Sequence, residues 1–360
     1  MTGKIRHLFA LLAVGALVVS ACSSSAATAT PTLKIGVALD VGRVDDKNFN
    51  QYSWEGAKQA AADLGATANY VVPKDASDYD KNIQGFLDQG YNVVVGVGYN
   101  LGTAVVKAAK ANPNVWFIIV DVAPCVDETG APDSTFACKG DAAKLLPKLI
   151  GINFQEDQVG YLAGIVAASA TKKNVIGQLG GVNSNPAVVK YLQGYILGAK
   201  SIKPDIKIET AFFSTGDPVW GKTFSAQFIP QTGVDVVFQV AGATGNGTLD
   251  AACDAGIWGI GVDVDQYLSY PTANKCIIFS AEKKLSNGVA GAIKAINAGT
   301  AKGGIQLFNA ANNGVGGSPL YNAEKAGLPA DLQSKLDAAF AQMKAGTLKT
   351  CPDKCGTWSE

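Results

Sequence analysis

Histidine is almost missing from this chain of 360 residues, the one copy being His7. It falls in an N-terminal segment that reads as a removable export signal, so the mature chain would carry none. That excludes Ser–His–Asp and Cys–His nucleophile systems and every His-ligated metal site. An enzyme would have to work through carboxylates or lysine. Charge is scarce too, at 17% of residues, and balanced, with 30 Lys+Arg against 30 Asp+Glu. No basic excess exists to neutralise a phosphate backbone, which argues against a nucleic-acid partner. The apolar run Leu8–Val19 has 12 residues, too few to cross a hydrocarbon core. What is plentiful is apolar and small: 48% hydrophobic residues and 41 Gly. Such a chain is not disordered, and its length predicts about two domains of packed α/β layers.

The N-terminus supplies an address. Lys4 and Arg6 precede the apolar run, and Val18–Val19–Ser20–Ala21 leads into Cys22 and three serines. Small residues before a Cys, followed by a polar stretch, resemble a bacterial lipobox. Residues 1–21 therefore read as a lipoprotein signal peptide, Cys22 as the lipidated first residue and 22–32 as a flexible Ser/Ala/Thr/Pro tether. Removing the signal leaves 28 basic against 30 acidic residues. The other six cysteines lie in close pairs, Cys125 with Cys138, Cys253 with Cys276 and Cys351 with Cys355. Sequence proximity suggests these three disulfides, which an exported protein can keep. The spacings lack paired CxxC knuckles, so no metal is expected.

From residue 33 onward, β-branched runs alternate with amphipathic ones. KIGVAL (34–39), NVVVGVG (92–98) and WFIIV (116–120) read as strands between helices, and LIGINF (149–154) starts a second such series. Near-continuous apolar strands separated by helices indicate parallel sheets covered on both faces. The expected fold is α/β, two doubly wound parallel sheets in two lobes joined by a multi-strand hinge. The expected lobes are 33–150 plus about 282–304, and 151–281 plus about 305–360. In open α/β sheets ligands bind beyond the carboxyl ends of the strands, so two facing lobes would share one cleft.

Three strands run into aspartate at that end: Asp40, Asp121 and Asp263. One such residue is ordinarily a helix cap or turn former. Three converging on one cleft point to ligand binding, because a half-buried carboxylate needs donors such as a vicinal diol, a base N–H or a cation. Phe49, between Asn48 and Asn50, is placed to stack on a flat ring while an amide reads its edge. Trp220, in GDPVWG (216–221), would close the stack from the other lobe. AGATGNG (241–247) is neither a dinucleotide fingerprint nor a P-loop, and its glycines suit close backbone approach to a ligand. Lys283, in SAEK (280–283), lies near the hinge and could donate to sugar oxygens.

DDKNFNQYSWEG at 45–56, YLAGIVAA at 161–168, GVDVDQ at 261–266, SAEK at 280–283 and NNGVGG at 312–317 together resemble the basic membrane protein family. This family comprises substrate-binding lipoproteins of nucleoside ABC importers, the purine nucleoside receptor type among them. The resemblance covers essentially the whole mature chain. It implies a type I periplasmic-binding-protein fold with a three-strand hinge, no cofactor, and a permease and ATPase as partners. It also implies a base stacked between one aromatic of each lobe. Phe49 matches the first, and Trp220, or else Phe213, takes the place of the second. By the same resemblance Asp40, Asn50 and Asp121 hold the base, and Asp263, Lys283 and Gly242 the ribose. The 125–138 insert has no counterpart in the pattern.

Three other readings stay open on sequence alone. The same fold could hold a free sugar, a polyol or a small signalling molecule. Clustered aspartates could serve a nucleoside hydrolase, although no dense Asp motif is present. A sensor or adhesive lipoprotein would need no transporter at all.

Overall fold

The computed structural model describes residues 32–213 and 216–358. The expected signal peptide, Cys22 and nearly all of the tether lie outside the described residues. Twelve strands are described: β1 Lys34–Ala38, β2 Thr67–Val71, β3 Val93–Val97, β4 Trp116–Val120, β5 Leu149–Phe154, β6 Val175–Gly180, β7 Lys207–Phe212, β8 Val236–Val240, β9 Trp258–Asp263, β10 Ile277–Lys283, β11 Gly304–Phe308 and β12 Val315–Gly317. They form two six-stranded sheets, in the orders β11-β5-β4-β3-β1-β2 and β12-β10-β9-β8-β6-β7. Every pairing is parallel except β12 against β10. The central strands are buried on both faces, which is why runs such as VVVGV show no polar alternation. Among the described residues no helix is long and apolar enough to cross a membrane.

Two of the expected lobe boundaries move. LIGINF does not start the second series. As β5 it pairs with β4 and closes the centre of the first sheet, with Phe117 opposite Leu149. Likewise β11 pairs with β5, Gly304 opposite Ile150, and belongs to the first sheet. The chain therefore crosses between sheets after Phe154, after Lys283 and between Phe308 and Val315. The sequence misleads here because the β4–β5 connection carries only the short helix Ala142–Leu145. Its polar 123–144 stretch interrupts the strand–helix pattern, yet it connects two neighbouring strands of one sheet and is closed by Cys125–Cys138. Cys253–Cys276 and Cys351–Cys355 are bonded as well.

Helix Glu156–Ala170 is buried along nearly its whole length and crosses helix Pro186–Ile202 at very close range. Two G-x-x-x-G steps, Gly160/Gly164 and Gly194/Gly198, face each other there. A Cβ on Gly198 would stand 1.9 Å from the Tyr161 carbonyl oxygen, and one on Gly164 2.1 Å from that of Tyr195. This contact seats Tyr195, whose hydroxyl donates to the Gly177 carbonyl on β6 at 3.2 Å, and Tyr191, which reaches into the cleft. Gly198→Ala should therefore destabilise the fold by about 3 kcal/mol, since neither backbone can retreat. Urea unfolding would check this, and a loss below about 0.5 kcal/mol would contradict the packing argument.

Candidate functional site

A cleft of about 540 Å³ lies at the carboxyl ends of the strands of both sheets. Its floor carries charge. Lys283 closes β10 and is only 4% exposed. Its Nζ contacts the Asp121 carboxylate and lies 3.3 Å from Asp263 Oδ1. Burial alone would pull the ammonium down, but Asp121, Asp263 and Glu156 outweigh it and hold Lys283 above its ordinary pKa. Lys283 thus stays charged. Burial pushes Asp263 above the usual carboxylate range against the pull of Lys283, with the Asp121 charge adding to the rise. One cation therefore answers two buried acids.

Both aspartates are held in the left-handed region, each with φ 65°. A non-glycine residue rarely adopts that backbone, so both positions are held by the fold around them. Asp121 is fixed by its N–H, which donates to the Ile152 carbonyl at 2.8 Å. The Tyr191 hydroxyl donates to Asp263 Oδ1 at 3.2 Å. Burial, then the Asp263 charge, keeps that phenol far above its ordinary pKa, so it remains a donor.

Asp40 sits on the opposite wall. It accepts from the Tyr79 hydroxyl, from Asn100 Nδ2 at 3.1 Å and from the Val41 N–H at 2.7 Å. Gly98, with φ 106°, makes room: a Cβ there would lie 2.8 Å from Asp40 Oδ2. Phe49 begins helix Phe49–Leu64, and its ring centroid is 4.9 Å from Lys283 Nζ. The helix starts there, rather than at Asp46, because Asp46 caps it from outside. The Asp46 carboxylate accepts from the N–H groups of Asn48 (2.9 Å), Asn50 (3.0 Å) and Gln51 (3.1 Å). Burial pushes Asp46 up to about 6 despite those bonds, helped by the Asp263 charge. Two buried acceptors in the cleft, Asn50 Oδ1 and Asp121 Oδ1, have no protein partner.

Of the site residues expected from sequence, Asp40, Phe49, Asn50, Asp121, Gly242, Asp263 and Lys283 all line this cleft. Trp220 does not. Asp217 accepts from the Val219 N–H and starts the helix at Pro218, so Trp220 falls in its first turn, 42% exposed and stacked on Phe224 at 5.3 Å. Phe213 lines the cleft instead, edge-on to Trp220 at 5.4 Å. The glycine loop is also corrected. Only Gly242 faces the cleft, while Gly245 closes on the Gln239 side chain and Gly247 on the Pro218 carbonyl. Sequence reasoning missed Asp46, Tyr79, Asn100 and Tyr191. An acid two residues before a helix-starting Asn was a usable sign for Asp46, whereas Tyr79 and Asn100 reach Asp40 only through tertiary folding.

The chain matches the family described as "ABC transporter substrate-binding protein PnrA-like" over residues 33–336. It is 33% identical over 284 residues to an ABC transporter nucleoside-binding protein of Lactococcus lactis, covering 74% of this chain and 75% of that protein. It is 29% identical over 297 residues to basic membrane protein D of Borreliella burgdorferi, covering 81% and 80%. Among solved structures, an ABC transporter solute-binding protein of Aeropyrum pernix superposes with a TM-score of 0.74 at 22% identity, over 89% of this chain and 94% of that one.

Beneath the cleft Glu156 is buried where the chain first crosses between sheets, 3.3 Å from Lys190 Nζ. Burial pushes it up to about 7, against Lys190 and with Asp121 adding to the rise. The folded protein thus holds this proton more tightly than the unfolded chain, whose value is 4.5. That contribution is whole below the unfolded pKa and is lost as pH rises through the folded one. Glu156→Gln should therefore gain thermal stability relative to the wild type between about pH 5 and about pH 8. Melting curves that run parallel across this window would remove Glu156 as the cause.

Proposed function

The chain belongs to the PnrA-like family of ABC transporter substrate-binding proteins, and we propose that it captures nucleosides, purine nucleosides in particular. Proteins of this family are not enzymes: they bind a small ligand on the extracytoplasmic side and work with permease and ATPase subunits. Our reading adds anchoring through lipid on Cys22 and delivery of an unaltered nucleoside to the permease.

The observation that carries the reading is the pairing of flat and charged surfaces in one cleft. Phe49 and Phe213 supply a ring from each lobe, and Asp121, Lys283 and Asp263 lie on the floor beside Phe49. Asn50 Oδ1 and Asp121 Oδ1 need donors, and a buried acceptor left alone costs roughly 1–3 kcal/mol. A nucleoside brings a ring to stack and N–H and O–H groups to satisfy those acceptors. The relative from Lactococcus lactis, named for nucleoside binding, supports the same ligand class. Hinge closure would bury the guest between the lobes, and the guest's better fit to the closed form drives the shift.

Calorimetric titration with adenosine, guanosine, inosine, cytidine and ribose tests this directly. Purine nucleosides should bind most tightly, and tight binding of ribose alone would defeat the reading. Asp263→Ala should weaken nucleosides about tenfold or more while leaving the free bases nearly untouched. Equal losses for both would take Asp263 out of the sugar role. Phe213→Ala should cost about fivefold or more, as expected for loss of a base stack, and Trp220→Ala less than about twofold. The reverse order would put the second stacking ring at Trp220.

A further inference from the structure

The second lobe contains a chain of buried amides that the ligand contacts do not use. Gln239 follows Phe238 on β8, and its Oε1 accepts from the Ala241 N–H at 3.1 Å. Its Nε2 donates to Gln266 Oε1 at 2.5 Å. That same oxygen accepts from the Val262 N–H at 3.0 Å, and the Gln266 N–H donates to Ser280 Oγ at 3.1 Å. Gln266 Nε2 then donates to Asn246 Oδ1 at 2.8 Å. Asn246 Nδ2 finally donates to the Asp46 carbonyl, also at 2.8 Å, across the cleft in the other lobe.

The direction of this relay is fixed at both ends. Backbone N–H groups face the two glutamine oxygens, and a backbone carbonyl faces the Asn246 nitrogen. Gln239 and Gln266 are fully buried and Asn246 nearly so. Two glycines clear the space, because a Cβ on Gly245 would strike Gln239 Oε1 at 1.6 Å and one on Gly261 would meet Gln266 at 2.8 Å. The relay therefore accounts for part of the glycine pattern at 241–247 and for the glutamine of GVDVDQ.

Its two ends are the loops that face the ligand. Ala241 and Val262 adjoin Gly242 and Asp263, both in the cleft. Asp46 grips the start of the helix that presents Phe49 and Asn50, its carboxylate on three N–H groups and its carbonyl on Asn246. We infer that Asn246 is the positioning residue that sets cleft closure, tying the strand-end loops of one lobe to the Phe49–Asn50 segment of the other without touching the ligand. This rests on the reading of the protein as a nucleoside receptor that closes on its guest. Lys283 also reaches Asp121 across the cleft, but within the ligand site itself. The bond from Ser269 Oγ to the Lys47 carbonyl at 3.0 Å crosses outside it, solvent-exposed and weaker for that reason.

Stopped-flow release of adenosine and inosine, with small-angle scattering on the same samples, tests the inference in Asn246→Ala and Asn246→Ser. The serine is too short to reach the Asp46 carbonyl. Both variants should release nucleoside about tenfold faster, with association within about threefold of wild type. The ranking among nucleosides should be unchanged, and the scattering radius in saturating nucleoside should be larger. Ser269→Ala should change release less than about threefold. Release within twofold of wild type, or an altered nucleoside ranking, would overturn the inference, as would failure of both Asn246 variants to fold. If the wild type responds to no nucleoside, the receptor reading falls on its own. The radii of wild type and Asn246→Ala in plain buffer then decide the latch: a larger radius in the variant supports it, and equal radii overturn it.

Discussion

Everything in the cleft is arranged around one buried ammonium. Lys283 joins Asp121, at the end of a first-sheet strand, to Asp263, at the end of a second-sheet strand. Exposed pairs such as Arg43–Asp45 contribute little, because water screens them and two long side chains must be ordered. The Lys283 cluster is different in kind. Removing Lys283 would leave two buried acids uncompensated, so the two strand ends and the cation are constrained as a unit. Burial, with the Asp121 charge adding to it, raises Asp263, and the excess of acid over cation tilts the cleft toward guests that donate hydrogen bonds.

That constraint is built from a repeated half. The second sheet follows the first strand for strand, β4 corresponding to β9, β5 to β10 and β1 to β6. Both β4 and β9 begin with tryptophan and run into an aspartate at φ 65°. The equivalence then breaks where function needs it to. Lys283 ends β10, and the matching position at the end of β5 is Phe154, whose ring centroid lies 5.6 Å from Lys283 Nζ. Two similar lobes therefore make an unsymmetrical site, with paired acids, a single cation and apolar rings.

What the sequence showed and what it hid divide along a physical line. Strand-end acids such as Asp121 are visible because an apolar run ending in a carboxylate is a local pattern. Phe49 is visible for a similar reason, as an aromatic in a polar stretch. The lobe boundary was hidden because β5 and β11 resemble any other strand, and only pairing assigns them to the first sheet, β5 beside β4 and β11 beside β5 more than 150 residues away in sequence. Trp220 misled because an aromatic near a helix start looks available, while the cap at Asp217 turns it onto Phe224. Asn246 and Asp46 are 200 residues apart, and no spacing rule links them.

The two polar systems of the cleft divide the work of closing it. In the amide relay Gln239, Gln266 and Asn246 are satisfied by one another and by backbone, so closure through Asn246 leaves none of its bonding atoms unpaired. At the ligand face, by contrast, Asn50 Oδ1 and Asp121 Oδ1 are buried with no protein partner. Closing on nothing gains the relay and bears the cost of those acceptors; closing on a donor-bearing guest gains both. A guest can shift the lobes only by its differential affinity for the two forms, and these unmatched acceptors are where that difference arises. The relay supplies hold without selectivity, and the acceptors supply selectivity at the expense of hold.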